Sequence, residues 1–182
     1  MLSNARCLGE GIDVPTLDGI AFIDPKHSQV DIVQAVGRAI RKGDGTKTAT
    51  IVIPVFVDAT ADGEHVLDAS AYKNIAEVLR ALRDHDAVLA DELDGIRRQL
   101  GATARKRLPW PKKILLDLPK DIETAFSSAI RTQIVRLTTS SWEEGFGQLT
   151  AYVQAEGSAR VPNSYGTAAG YQLGSWVADQ RS

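Results

Sequence analysis

The residues best suited to chemistry lie in Gln34-Ala-Val-Gly-Arg-Ala-Ile-Arg41, which spells Q-x-x-G-R-x-x-R. On a helix, positions 34, 38 and 41 fall at i, i+4 and i+7 and share one face. Val33, Val36 and Ile40 supply the opposite, buried side. A guanidinium is permanently charged and its planar fork matches phosphate oxygens, so Arg38 and Arg41 suit a polyanion such as a nucleotide triphosphate. Gly37 costs the helix about 1 kcal/mol relative to alanine. A glycine at that position fits the close approach of another backbone. Taken alone, the pattern is better explained as a solvated basic helix face. Upstream, Gly9-Glu-Gly-Ile-Asp-Val-Pro15 offers a glycine turn that lets a backbone approach a ligand, and a carboxylate, Asp13, that accepts hydroxyl hydrogen bonds. A plain turn accounts for that segment equally well.

A second candidate is electrostatic. Between Gly95 and Leu116 stand seven basic residues and no acid: Arg97, Arg98, Arg105, Lys106, Arg107, Lys112 and Lys113. Seven cations with Trp110 embedded among them would release counterions from a phosphate backbone. A solvated helix end and linker, partly neutralised by Asp84, Asp86, Asp91, Glu92 and Asp94, explains the stretch equally. Near the C-terminus, Arg160 and Arg181 are the natural phosphate contacts, while Trp142, Tyr152 and Trp176 read as core rather than as stacking platforms. His27, His65 and His85 lack metal-ligand spacing and Cys7 has no partner cysteine, so no metal site is expected.

The elements that must position these residues change character along the chain. Gly19 to Asp24 reads as a short buried strand, Ser28 to Lys42 as a helix stopped by Gly43 and Gly45, and Thr48 to Asp58 as a β-branched strand that bends at Pro54. Strand, helix, strand predicts a βαβ unit with parallel pairing. Helices are then expected over Ser70 to Arg83, Val88 to Leu100 and Asp121 to Thr139, with a short strand at Ile114 to Leu118. Ser141-Trp-Glu-Glu144 has a capping-box spelling that starts a helix at Trp142, with Phe146, Leu149 and Val153 at helical spacing and Gly157 as its stop. Val161-Pro-Asn-Ser is a loop, and a short helix is expected over Gly170 to Gln180.

The chain is 182 residues long, with 43% hydrophobic and 24% charged residues and a formal charge of −2. That balance excludes a globally basic coat but not a local basic patch. One cysteine excludes an internal disulfide framework. No apolar run approaches the roughly 20 residues of a membrane span, so no membrane partner is expected and the default location is the cytoplasm.

In this order, with a strand between them, the first two segments resemble motifs V and VI of superfamily-two helicases and translocases. Asn4-Ala-Arg-Cys-Leu-Gly-Glu-Gly-Ile-Asp-Val-Pro15, Phe22-Ile-Asp-Pro25 and Ser28 to Lys42 are similar to the DEAD/DEAH-type branch close to restriction-enzyme helicase subunits. The resemblance implies the second RecA-like lobe of a two-lobed motor, with Gly11, Asp13 and Gly37 at the nucleotide and Asp13 near the ribose. Gln34 would couple the lobes, and Arg38 and Arg41 would be arginine fingers, a role worth about 10³–10⁵ in rate. ATP and Mg2+ would be held mainly by a first lobe, whose phosphate loop G-x-x-x-x-G-K-[ST] and acidic metal-binding box do not occur in this chain. Asp91-Glu-Leu-Asp94 only imitates such a box, since no strand precedes it. Met1 is therefore not expected to mark the start of the functional enzyme.

Trp142, Leu149, Tyr152, Gly157, Val161-Pro162, Tyr165, Gly170, Leu173-Gly174, Trp176-Val177 and Gln180-Arg181 resemble the bacterial helicase-associated domain, a small helical module implied to bind nucleic acid. The expected fold is thus α/β then all-α. A partial RecA-like C-terminal lobe spans 1–60, a mainly helical linker with the basic stretch spans 61–139, and a truncated helicase-associated module spans 140–182. The expected function is the C-terminal part of an ATP-dependent helicase or translocase, with DNA favoured over RNA and double-stranded DNA as the expected track. The isolated polypeptide is expected not to hydrolyse ATP. The alternative is a non-catalytic nucleic-acid-binding or interaction module with a degenerate helicase lobe.

Overall fold

A computed structural model describes residues 19–22, 32–35, 50–54, 69–102, 109–117 and 124–181. The chain divides into two compact units, residues 1–86 and 87–182. Most of the described chain is helical, and it contains a small two-stranded parallel sheet.

In the first unit, β1 (Gly19–Ala21) pairs in parallel with β2 (Thr50–Val52), Ile20 opposite Ile51. Phe22 N–H extends the ladder by donating to the Val52 carbonyl at 2.9 Å. Parallel pairing demands a long crossover, and residues 32–35 within it are helical. Ile32 is fully buried there and meets Phe22, Val78 and Ala81, with Ile20 and Ile51 packed around them. Val78 and Ala81 come from α1 (Ala69–Arg83), so one helix face and the sheet share this core. Among the described residues, β1 ends at Ala21 and β2 at Val52, before the ends expected of them. Pro54 has no N–H to give to a ladder, and Ile53 and Pro54 lie beyond the paired residues. Residues 23–24, 48–49 and 55–58 of the expected strands lie outside the described residues.

The second unit is helical. α2 (Ala87–Ala102) buries Leu89, Leu93 and Ile96, and α3 (Thr124–Thr138) buries Ile130, Ile134 and Val135. α4 (Ser141–Glu156) packs along α2, and α5 (Leu173–Asp179) packs on α4. Glycines bring α2 and α4 unusually close. A methyl at Gly101 would stand 2.9 Å from the Glu144 carbonyl carbon and 3.1 Å from Gln148 N, and nearer still to the Glu144 oxygen. Reciprocally, a methyl at Gly147 would stand 2.9 Å from the Arg98 carbonyl carbon and 3.1 Å from Ala102 N.

Three local expectations are corrected. The cap of α4 is Ser140, not Ser141: Ser140 holds an extended conformation and its hydroxyl accepts from Trp142 N–H at 3.2 Å, while Ser141 is already helical. Gly157, at φ 68°, closes the same helix and donates to the Val153 carbonyl. The last helix begins at Leu173 rather than Gly170, because Gly170 sits at φ 83°, incompatible with a right-handed helix. Ile114 to Asp117 is not a strand. A turn at Lys112–Lys113 closes Ile114 N–H onto the Pro111 carbonyl at 3.0 Å, and Leu115 is 89% exposed with no described strand to pair with.

Candidate nucleic-acid interface

The close crossing of α2 and α4 brings the start of the basic stretch onto the acidic first turn of α4. Glu143 and Glu144 favour that turn because carboxylates stabilise the positive end of the helix dipole. Arg97 Nη2 lies 2.8 Å from Glu144 Oε2, and Arg136 from α3 reaches the other Glu144 oxygen at 3.3 Å. Arg98 Nε meets Glu143 Oε2 at 2.5 Å. One carboxylate therefore joins three helices. Arg97 is only 6% exposed, and among the described residues its Nε and Nη1 have no hydrogen-bond acceptor. Burial accordingly pulls its pKa below the ordinary arginine value; Glu144 and Tyr171 oppose that shift and Arg136 reinforces it. Burial also raises the Tyr171 pKa, with Glu144 adding to the effect and Arg97 opposing it.

The nine cations expected to meet phosphate thus fall into different settings. Arg97 is enclosed and answered by Glu144. Arg98, half exposed, is tied to Glu143. Lys112 and Lys113 are exposed at the tip of the turn. Arg160 and Arg181 are exposed, the first ahead of α5 and the second just after it. Arg105, Lys106 and Arg107 lie outside the described residues. Trp110 anchors the turn: its Nε1–H donates to the Ile114 carbonyl at 2.8 Å, and the Arg131 guanidinium lies 5.3 Å from its ring centre.

Beyond Gly157 the chain folds back over α4. Val161, Leu173 and Val177 form a small core against Leu149, Tyr152, Tyr165, Tyr171 and Trp176. Tyr152 and Tyr165 meet edge to face at 4.8 Å. Gly174 admits the loop carbonyls of Pro162 and Asn163, so a side chain there would collide with backbone. Tyr152 and Trp176 behave as expected of core aromatics, but Trp142 does not. It is 43% exposed, and Phe146, one turn on, is 39% exposed. Their rings stack at 5.1 Å and 9°. The sequence signal for this face is the i, i+4 spacing of the two aromatics in α4.

Of the residues assigned to the nucleotide, Gln34 is described: it is exposed on the helical residues 32–35, whose Ile32 is buried. Gly11, Asp13, Gly37, Arg38 and Arg41 lie outside the described residues. No group of acids, histidines and cysteines among the described residues could hold a metal ion, and no described helix is long and apolar enough to cross a membrane.

Residues 139–182 match the family model of the helicase associated domain. The chain is also 29% identical to a probable helicase of African swine fever virus from a Kenyan pig isolate, with 68% of this chain covered. It is 28% identical over the same share to the corresponding protein of a South African tick isolate and to that of the Badajoz strain. These findings support a helicase-related family. The matches span 17% of the length of the viral proteins. No solved structure matches the chain. The helicase-associated segment takes in the Ser140 cap, α4, residues 157–172 and α5, whereas α2, against which α4 packs, lies upstream of it.

Proposed function

We propose that this chain is the C-terminal part of an ATP-dependent DNA helicase or translocase. The helicase-associated match over residues 139–182 carries the reading. The similarity to a viral probable helicase, which extends over 68% of the chain, supports it. The parallel pair β1–β2, with helical residues 32–35 in the crossover and Gln34 on their exposed side, fits the α/β arrangement that the Q-x-x-G-R-x-x-R resemblance calls for. On this reading, residues 1–60 belong to a RecA-like lobe, 61–139 to a linker and 140–182 to the appended module.

ATP with Mg2+ would supply the transferable γ-phosphoryl group. The residues here that would meet it are Gly11, Asp13, Gly37, Arg38 and Arg41. Arg38 and Arg41 would stabilise charge spreading over the phosphoryl oxygens, while Gln34 would link nucleotide state to lobe position. The exposed cations of the second unit, Lys112, Lys113, Arg160 and Arg181, would hold the track by its phosphates.

Arg41→Ala or Arg38→Ala in the full-length protein is expected to abolish nucleic-acid-stimulated ATPase while leaving nucleic-acid binding nearly intact. Full turnover by both variants refutes the arginine-finger assignment. Absence of ATPase from the full-length protein, with salt-dependent nucleic-acid binding retained, favours the non-catalytic module instead.

A further inference from the structure

Three rings sit at one end of the second unit in an arrangement that core packing does not require. Trp142 touches both of the others: Phe146, stacked at 5.1 Å and 9°, and Trp176, tilted at 53° with centroids 6.2 Å apart. Trp176 is seated in the cleft left by Gly145, where an added methyl would approach its indole Nε1 to 2.5 Å. Trp142 is further fixed by its Nε1–H, which donates to Gln180 Oε1 at 3.0 Å. The rings are thus held from behind while Trp142 and Phe146 remain 43% and 39% exposed. Flat aromatic surface prepared at little further entropic cost is what a stacking ligand requires.

The acids next to the platform are neutralised, which leaves Arg181 as the cation beside it. Glu143 and Glu144 follow Trp142 directly, and alone they would repel phosphate. Each instead carries a half-exposed guanidinium, Arg98 on Glu143 and Arg136 on Glu144. Arg181 follows the glutamine that holds the Trp142 indole. Exposed aromatic rings, with the exposed Arg181 next to the glutamine that holds one of them, match the two needs of a single strand, a π-face for its bases and a cation for its backbone.

We propose that the Phe146–Trp142 face is a stacking platform for unpaired bases, so that the second unit grips single-stranded rather than fully paired nucleic acid. The inference rests on the nucleic-acid reading above and specifies its ligand. The test measures binding of the 182-residue chain to a fluorescent oligothymidylate of about 12 nucleotides and to a duplex of equal length by anisotropy across a salt series. The single strand is expected to bind more tightly than the duplex. Phe146→Leu, which keeps an apolar side chain but removes the π-face, is expected to weaken strand binding roughly five-fold or more with an unchanged unfolding midpoint. Trp142→Leu should act in the same direction. Salt-dependent binding that Phe146→Leu leaves unaltered overturns the platform and spares the nucleic-acid reading. Failure of the unsubstituted chain to bind either oligonucleotide overturns both. Concentration-dependent self-association abolished by Phe146→Leu, without any effect on strand binding, assigns the face to a second copy of the chain and likewise overturns the proposal.

Discussion

Substituting Gly147 by alanine sets two effects of opposite sign against each other. In an open helix interior the change stabilises by about 1 kcal/mol. Here the new methyl would lie 2.9 Å from the Arg98 carbonyl carbon and 3.1 Å from Ala102 N. The obstacle is backbone, so no rotamer change relieves it, and α2 and α4 must move apart. Overpacking of this kind costs about 3 kcal/mol at the upper end of its usual range, which leaves a net loss of about 2 kcal/mol. For a unit of this size that lowers the melting temperature by about 8 °C. Trp110, Trp142 and Trp176 all lie within residues 87–182, so tryptophan fluorescence during thermal or urea unfolding reads this unit selectively. Gly95 on α2 is the control, since an added methyl there meets nothing within 4 Å; Gly95→Ala is expected to stabilise by up to about 1 kcal/mol. Because one separation of the helices relieves both contacts, Gly101→Ala combined with Gly147→Ala should cost less than the sum of the single changes. If Gly147→Ala stabilises as much as Gly95→Ala, the close crossing is refuted.

Glu144→Ala should destabilise the second unit more than Arg97→Met does, because it strands a buried guanidinium whereas the methionine removes one, and loss of a buried partner costs about 3–5 kcal/mol; the reverse order in urea unfolding would count against the enclosed pair. At high pH the second unit should weaken. The Tyr171 pKa is raised in the folded state above its ordinary 10.0, so the unfolded chain loses that proton first, and stability present below pH 10 falls as pH rises toward the folded value. Tyr171→Phe should flatten this alkaline loss, as followed by tryptophan fluorescence. Trp110→Ala should remove both the Ile114 bond and the Arg131 contact, at a cost of about 1–2 kcal/mol; an unfolding curve identical to that of the unsubstituted chain would show that neither contributes.

The helices were legible because their signals are local. Apolar spacing located α1, α2 and α4 to within a residue or two, and Gly157 marked the end of α4. The parallel pairing of Gly19–Ala21 with Thr50–Val52 followed from element order alone. The errors have equally local causes. Ser140 and Ser141 are the same residue type, and only backbone angles decide which of them caps. Ile114 to Asp117 has strand-like composition, but no neighbouring strand among the described residues pairs with it. The setting of the cations was less legible. Arg97 and Lys112 read alike in a basic run, yet one is enclosed by Glu144 and the other is solvated, a difference fixed by which helix crosses over them. The crossing itself leaves a trace in the sequence: Gly101 and Gly147 stand inside helices, where propensity argues against glycine.

The interlock of Gly101 with Gly147 also separates the evolutionary unit from the mechanical one. The family match begins at residue 139, and severing the chain there would leave the Gly147 side of α4 unfilled and strip Glu144 of its enclosed cation. A helix that relies on a neighbour outside its own module is soundly shaped only where such a neighbour is supplied. Any protein that borrows residues 139–182 must therefore bring an equivalent of α2, with a small residue at the matching turn.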